Sequence, residues 1–228
     1  MKIISWNMNK RKTGCWDWLL DAHDPDFVLA QEASPLPDNL TASIRTTTKK
    51  SNRTVFYSKK QNHVDVKMES DCGMGLLVTQ HRSLFFINVY ANLDFKPVNP
   101  ALLGYIAKFV TNLRRRHNAK NIIIGGDFNM DRRMDDNPTS TKFALKDTYP
   151  TNNFFDAILD MGFHDCMRKL NDAPIQTHRN PKSNFPWELD HIFATENLYN
   201  SLKKVDVPYV AALSDHDPII ATFDFPAS

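Results

Sequence analysis

Three cysteines are few for a chain of 228 residues, and Cys15, Cys72 and Cys166 lie far apart. An odd, scattered set gives neither a disulfide framework nor a zinc-ligand spacing, so a reducing, cytoplasmic setting is expected. Long apolar runs are lacking too. Met1 leads straight into Ile3-Ile4-Ser5-Trp6, too brief for a signal peptide or a bilayer span, and no membrane partner is expected. Charge of one sign is not in excess: 28 Lys and Arg against 26 Asp and Glu leave +2, too little to imply a polyanionic partner by itself. There is no repeat, low-complexity tract or dividing linker. Residues 1–228 therefore read as one domain, long enough to bury a substantial core, with a monomer and no protein partner expected.

What the chain does have is organised around Asn121-Ile122-Ile123-Ile124-Gly125-Gly126-Asp127-Phe128-Asn129. Three branched apolar residues in a row are the mark of a strand buried on both faces. The two glycines allow a tight turn or a close backbone approach there. Asp127 and Asn129, two apart, present an acceptor and an amide together. For this segment alone, a strand end with Asp and Asn as turn formers is the plainer reading.

Around it, Lys2–Trp6 reads as a first strand, 14–22 as a helix and 26–31 as a second strand ending at Glu32, together a βαβ-like unit. From Leu40 to Val89 short segments rich in β-branched and aromatic residues predict consecutive antiparallel strands. Leu102, Tyr105, Ile106, Phe109, Val110 and Leu113 recur at helical spacing, so 101–116 is the strongest helix. Its basic end, Arg114-Arg115-Arg116-His117, suits the negative pole of the helix dipole, and reads as a solvated terminus before it reads as a nucleic-acid contact. A helix over 153–161, an irregular loop over 176–187, a strand over 189–194, a weaker strand over 205–210 and a final strand over 218–225 complete the chain.

The polar residues at or near these strand ends form a series: Asn7, Glu32, Tyr90, Asp127, Asn129, Asp190, Asp215 and His216. A scaffold that ends several strands at one rim can gather them around a crevice. Carboxylates, amides and an imidazole without thiolates suit Mg²⁺, with Mn²⁺ as substitute, better than zinc. An Asp beside a His orients the ring and favours its protonated form, which is useful against a developing oxyanion.

Five segments occur in an order that resembles the endonuclease/exonuclease/phosphatase superfamily, which includes exonuclease III, AP endonucleases and deoxyribonuclease I. They are Ile4-Ser5-Trp6-Asn7-Met8-Asn9, Gln31-Glu32, Gly125-Gly126-Asp127-Phe128-Asn129, Leu189-Asp190-His191-Ile192-Phe193 and Ser214-Asp215-His216-Asp217-Pro218. The resemblance implies an α/β (α+β) four-layer sandwich, two packed mixed β-sheets flanked by helices, with the site at one rim. It also implies roles. Glu32 would be the main Mg²⁺ ligand, assisted by Asp215 and Asn7. Asp127 would orient and deprotonate the attacking water, Asn129 would hold a phosphate oxygen, and His216 paired with Asp190 would stabilise charge on the phosphate. Tyr90 stands where relatives place a Tyr or His beside the scissile phosphate, and Asn9 stands where some relatives carry Asp.

Other polar and aromatic residues have plainer readings. Trp6 and Trp16 are expected in the core, and His191 facing away from Asp190. His23, His63, His81, His164 and His178 are expected at the surface, and Asp217 as a turn residue before Pro218. Since this superfamily hydrolyses nucleic acids, phosphoinositides and sphingomyelin, fold does not choose the substrate. Lys10, Arg11 and Lys12 after Asn9, Arg132 and Arg133 after Asn129, and Arg179 with Lys182 before Asp190 favour a nucleic-acid phosphodiester as substrate. Phe185, Trp187 and Tyr149 are candidates to stack on a base, with core packing the default. A phosphatase or phosphodiesterase for a lipid headgroup or small ester is the alternative, disfavoured by the lack of an amphipathic anchor. A binding module that kept the fold is disfavoured by the intact polar set.

Overall fold

Alternation along the strands sets the layers of the molecule. The computed structural model describes residues 1–10, 14–35, 37, 40, 44–46, 54–60, 63–65, 75–91, 98–136 and 150–226. In β1 (Lys2–Asn7), Ile3 joins one core with Phe27 and Leu29 of β2 (Phe27–Gln31). Ile4 and Trp6 face the other way, with Val28 and Ala30, onto Trp16 and Leu19 of α1 (Cys15–His23). That division is the period-two geometry of a strand buried on both faces. β1 and β2 pair parallel, as a strand–helix–strand unit requires.

Short strands follow: β3 (Ile44–Thr46), β4 (Val55–Ser58), β5 (His63–Asp65), β6 (Leu77–His81) and β7 (Leu84–Tyr90). Then come α2 (Val98–His117), β8 (Asn121–Asp127), α3 (Thr151–Asp160), β9 (Phe163–Asp165), α4 (Cys166–Leu170), β10 (Asp190–Thr195), α5 (Glu196–Ser201), β11 (Leu202–Asp206) and β12 (Ile219–Phe223). Among the described residues the strands form two six-stranded sheets, in the orders β11-β12-β1-β2-β4-β3 and β5-β6-β7-β8-β10-β9. Both are mixed, since β1 with β2 and β7 with β8 are parallel and the other pairs antiparallel.

The sheets pack face to face through Ile3, Phe27, Leu29, Phe56, Phe86, Ile123, Ile192 and Ala221. The outer face of the second sheet, with Phe85, Ile87, Ile122 and Ile124, is covered by α2 and α3 through Leu102, Ile106, Phe109, Phe154 and Ile158. Helix, sheet, sheet, helix is the expected four-layer sandwich. The strands expected from Leu40 to Val89 are antiparallel but divide between the sheets, β3 and β4 in one and β5 to β7 in the other. The last-but-one strand lies earlier than expected, at Leu202–Asp206, with a register shift between Leu202 and Lys204. Among the described residues no helix is long and apolar enough to cross a membrane.

One glycine has a strict requirement. Gly125 and Gly126 form no turn; β8 runs through both to Asp127. Gly126 has φ +149, and a Cβ there would lie 1.9 Å from the carbonyl oxygen of Val89 on the paired strand. At Gly125 the nearest atom to an added Cβ is the flexible end of Leu29, at 2.8 Å. Gly126→Ala should therefore cost about 3 kcal/mol, a fall in melting temperature of roughly 6–12 °C. Gly125→Ala should cost clearly less in the same thermal melt.

Candidate active site

The inward-facing parity that buries Ile3, Leu29, Phe86, Ile123 and Ile192 continues to the strand ends. There the same face carries Asn7, Gln31, Asn88 with Tyr90, Asp127 and Asp190. The parallel strands contribute their C-terminal ends and antiparallel β10 its first residue, so all reach one rim. Asp127 and Asp190 are direct cross-strand partners. Two carboxylates at that spacing repel each other unless a cation intervenes.

His216 is that cation. Its Nδ1 lies 2.8 Å from Asp190 Oδ2, and one ligand-type atom from each of Asp127, Asp190 and His216 falls within 4.8 Å of the others. Burial alone would push His216 down. The charges of Asp190 and Asp127, the hydrogen bond to Asp190 and the charge of Asp215 overcome that and hold its pKa at about 9, so the ring is protonated at neutral pH. Burial lifts Asp127 to about 7 against the pull of His216, with Asp190 adding to the rise and bonds from Asn7 and the Asn129 amide opposing it. Asp190 is held by two backbone amides, its own and that of Leu189, which both donate to Thr177 Oγ1 at 3.1 and 3.0 Å. The His216 loop is pinned to β1: Trp6 Nε1 donates to His216 O at 2.9 Å, and Ser214 Oγ donates to Asn7 O at 2.8 Å.

Amides surround Asp127. Asn7 Nδ2 donates to its Oδ2 at 2.8 Å, the Asn129 backbone donates to Oδ1 at 2.8 Å, and Asn129 Nδ2 donates to Oδ2 at 3.2 Å and to Ala91 O at 2.8 Å. Asn129, expected to hold a phosphate oxygen, thus has its amide donors engaged within the protein and orients Asp127.

Glu32 stands beside this group. Tyr90, expected next to the scissile phosphate, donates its hydroxyl to Glu32 Oε1 at 2.6 Å, and Lys10 Nζ lies 3.2 Å from Oε2. Asn9 links the remaining groups, its amide N donating to Asn7 Oδ1 at 2.9 Å and its Nδ2 to Asp215 Oδ1 at 2.7 Å. Lys10 N donates to Glu32 O at 2.8 Å, closing the two strand ends on each other. Asn9, Lys10, Glu32 and Asn129 all have left-handed backbones, four of the seven such non-glycine residues among those described. For Lys and Glu that conformation costs about 1–2 kcal/mol, and backbone strain of this kind clusters at functional sites.

The donor set fits a hard divalent cation. Glu32, Asn7 and Asp215 offer only oxygen, each keeps acceptor capacity beyond the bonds above, and Asp190 Oδ1 is buried without a hydrogen-bond partner. The tighter Asp127–Asp190–His216 cluster also offers carboxylate oxygens and a ring nitrogen within 4.8 Å of one another, in competition with the Asp190–His216 hydrogen bond.

Three of the arginines expected to meet substrate are held in ion pairs within the protein. Arg132 pairs with Asp156 at 3.0 Å, Arg133 with Asp131 at 2.5 Å, and Arg179 with Asp217. Each guanidinium also lies over a ring, respectively Phe155, Phe185 and Tyr209. Lys10 is the most exposed of the four, with 56% of its side chain in solvent. Arg11, Lys12 and Tyr149 lie outside the described residues. Trp187 is buried, as are Trp6 and Trp16.

Several plain readings are corrected. Asp217 is no simple turn residue; it is buried, accepts from Val210 N at 2.8 Å and pairs with Arg179. His81 is buried against the edge of Phe27, and His23 and His164 are half-buried, packed on Trp18 and Tyr199. His178 packs on His216 with ring centroids 4.4 Å apart, and burial with the neighbouring His216 charge pushes its pKa down to about 4. His191 does face away from Asp190, its Nε2 on Met130 O among Phe128, Phe155 and Phe193. Sequence reasoning missed the clamp under the rim: Gln31 Nε2 donates to Asn88 Oδ1 at 2.8 Å, and Asn88 Nδ2 to Val55 O at 2.9 Å. An Asn in the middle of the apolar run of β7 was the available signal.

Residues 4–216 match the model of the Endonuclease/Exonuclease/phosphatase family. No curated protein matches the chain. Among solved structures it resembles an AP endonuclease from Archaeoglobus fulgidus, at 20% identity and TM-score 0.75, covering 99% of this chain and 100% of that one. It also resembles the 3′ phosphatase NExo from Neisseria bound to product DNA hairpin, at 19% identity and TM-score 0.72, covering 99% and 100%. A third is the AP endonuclease LMAP from Leishmania major, at 15% identity and TM-score 0.70, covering 99% and 88%. At these identities the structural likeness concerns the fold.

Proposed function

The chain belongs to the endonuclease/exonuclease/phosphatase family of hydrolases, and from that premise we propose that it is a Mg²⁺-dependent nuclease that cuts phosphodiester bonds of DNA or RNA. The observation that carries the reading is the buried Asp190–His216 pair placed directly beside Asp127. Asp127, caged by amides with its pKa near 7, takes the proton of a water aimed at phosphorus. His216, protonated and fixed through Nδ1, keeps Nε2 for a non-bridging phosphate oxygen as negative charge grows. Glu32, with Asp215 and Asn7, would hold the cation, and Tyr90 orients Glu32. The bound cation would supply Lewis-acid polarisation of the phosphate.

A polynucleotide substrate is supported by the Neisseria relative, whose described complex is with a DNA hairpin. The same relative is described as a 3′ phosphatase, so a terminal phosphate on a nucleic acid is the second reading. Lys10, with Arg11 and Lys12 next to it in the chain, is assigned to a flanking phosphate, which it would reach by leaving Glu32. Arg132, Arg133 and Arg179 would reach substrate only by leaving Asp156, Asp131 and Asp217.

The test is a panel with Mg²⁺ or excess EDTA, containing single- and double-stranded DNA, abasic DNA, RNA, a 3′-phosphorylated oligonucleotide and a soluble phosphate monoester. Internal or end cleavage of a polynucleotide in Mg²⁺, and none in EDTA, is expected. Phosphate release from the simple monoester without any action on polynucleotides would overturn the nuclease reading.

A further inference from the structure

Tyr209 lies between β11 and Ser214, in a segment that leads into Asp215 and His216. Three large apolar side chains are exposed among the described residues: Leu159 at 38%, Leu170 at 52% and Tyr209 at 76%. The first two belong to α3 and α4. A single exposed aromatic is unremarkable by itself. Tyr209 differs because its position is fixed and connected to the site.

The Arg179 guanidinium carbon lies 4.6 Å from the centre of the Tyr209 ring. That guanidinium cannot wander, since it pairs with Asp217 and donates from Nη2 to Ser214 O at 3.0 Å. The Arg179 backbone donates to Asp215 O at 2.9 Å. Asp217 in turn accepts from the amide of Val210, the buried residue next to Tyr209, and Val210 O accepts from the amides of Leu213 and Ser214. One face of the ring is thus backed by a cation, while most of the side chain stands in water. A guanidinium over one face attracts the ring and favours that orientation. Every nucleobase offers a π-face to such a ring.

We propose that Tyr209, held by Arg179 beside Asp215 and His216, is a stacking platform for a base of the strand being cut. The inference rests on the nucleic-acid reading above and deepens it, since a platform one side chain from the catalytic loop selects a polynucleotide over a small ester. It also gives Arg179 a role other than the direct phosphate contact expected from sequence: the guanidinium is a buttress.

The experiment compares wild type, Tyr209→Ala and Tyr209→Trp on a single-stranded oligonucleotide and on bis(4-nitrophenyl) phosphate, all in Mg²⁺. On the oligonucleotide Tyr209→Ala should raise KM about 5- to 150-fold, the range expected on removing one stacking aromatic. Tyr209→Trp should retain the wild-type KM, and turnover of the small diester should be the same in all three. An oligonucleotide KM unchanged in Tyr209→Ala overturns the platform. Equal losses on both substrates overturn it too, because the ring would then act only by supporting the loop. If wild type hydrolyses the small diester but no polynucleotide, the nuclease reading itself falls.

Discussion

Asp127→Asn should lower turnover of a phosphodiester by about 10²- to 10⁴-fold, the range set by loss of a general base. Asparagine fits the same space and can still accept from the Asn129 backbone amide, which now lies 2.8 Å from Oδ1. It cannot take a proton from water. KM should move little, because the residues assigned to flanking phosphates and to the cation are untouched. The chain should still fold with some loss of stability, since the new Nδ2 would face Asn7 Nδ2 and Asn129 Nδ2, which now donate to Asp127 Oδ2 at 2.8 and 3.2 Å. Turnover within threefold of wild type would remove Asp127 from the chemistry.

Asp190→Asn and His216→Ala should each lower turnover by about 10²- to 10³-fold, the loss typical of one preorganised donor to a developing oxyanion. The double variant should be little worse than either, because Asp190 acts through the ring it orients and groups that act as a unit are not additive. The buried bond of 2.8 Å between them, with Asp190 held in place by Thr177, is the basis of that expectation. Losses that multiply would mean that the two side chains work separately. His216→Ala also leaves Asp127 and Asp190 facing each other without a cation, so a fall in melting temperature is expected alongside the kinetic defect.

The legibility of this arrangement in the sequence was uneven, for physical reasons. The ends of the apolar runs pointed to the polar residues, and in the structure Asp127 and Asp190 continue the alternation that buries Ile123 and Ile192. The order of the motifs supplied the four layers. Strand partners were not legible: nothing local in Val55–Ser58 or Leu77–His81 says which sheet each joins, since both are short and antiparallel to their neighbours. Helices α4 and α5, of five and six residues, are too short for a periodic signal. The roles of the arginines were obscured most. Adjacent basic residues read as a phosphate-binding rim; Asp131, the partner of Arg133, is only two residues away, but the partners of Arg132 and Arg179 are 24 and 38 residues distant. His178 was hidden for the same reason, as its neighbour His216 comes to it only through the closing loop.

The pH dependence of hydrolysis by wild type and Asp190→Asn tests the central claim most directly. Asp127 must be ionised to accept a proton, and its pKa is lifted to about 7. His216 must keep its proton, which it holds to about 9. The rate on an oligonucleotide in Mg²⁺ should therefore rise through about pH 7 and fall through about pH 9. Asp190→Asn takes away the charge that does most to hold the His216 proton, so its falling limb should shift to lower pH. A rate that is flat from pH 6 to 10, or a falling limb that stays in place in Asp190→Asn, would contradict a mechanism built on an ionised Asp127 and a protonated His216.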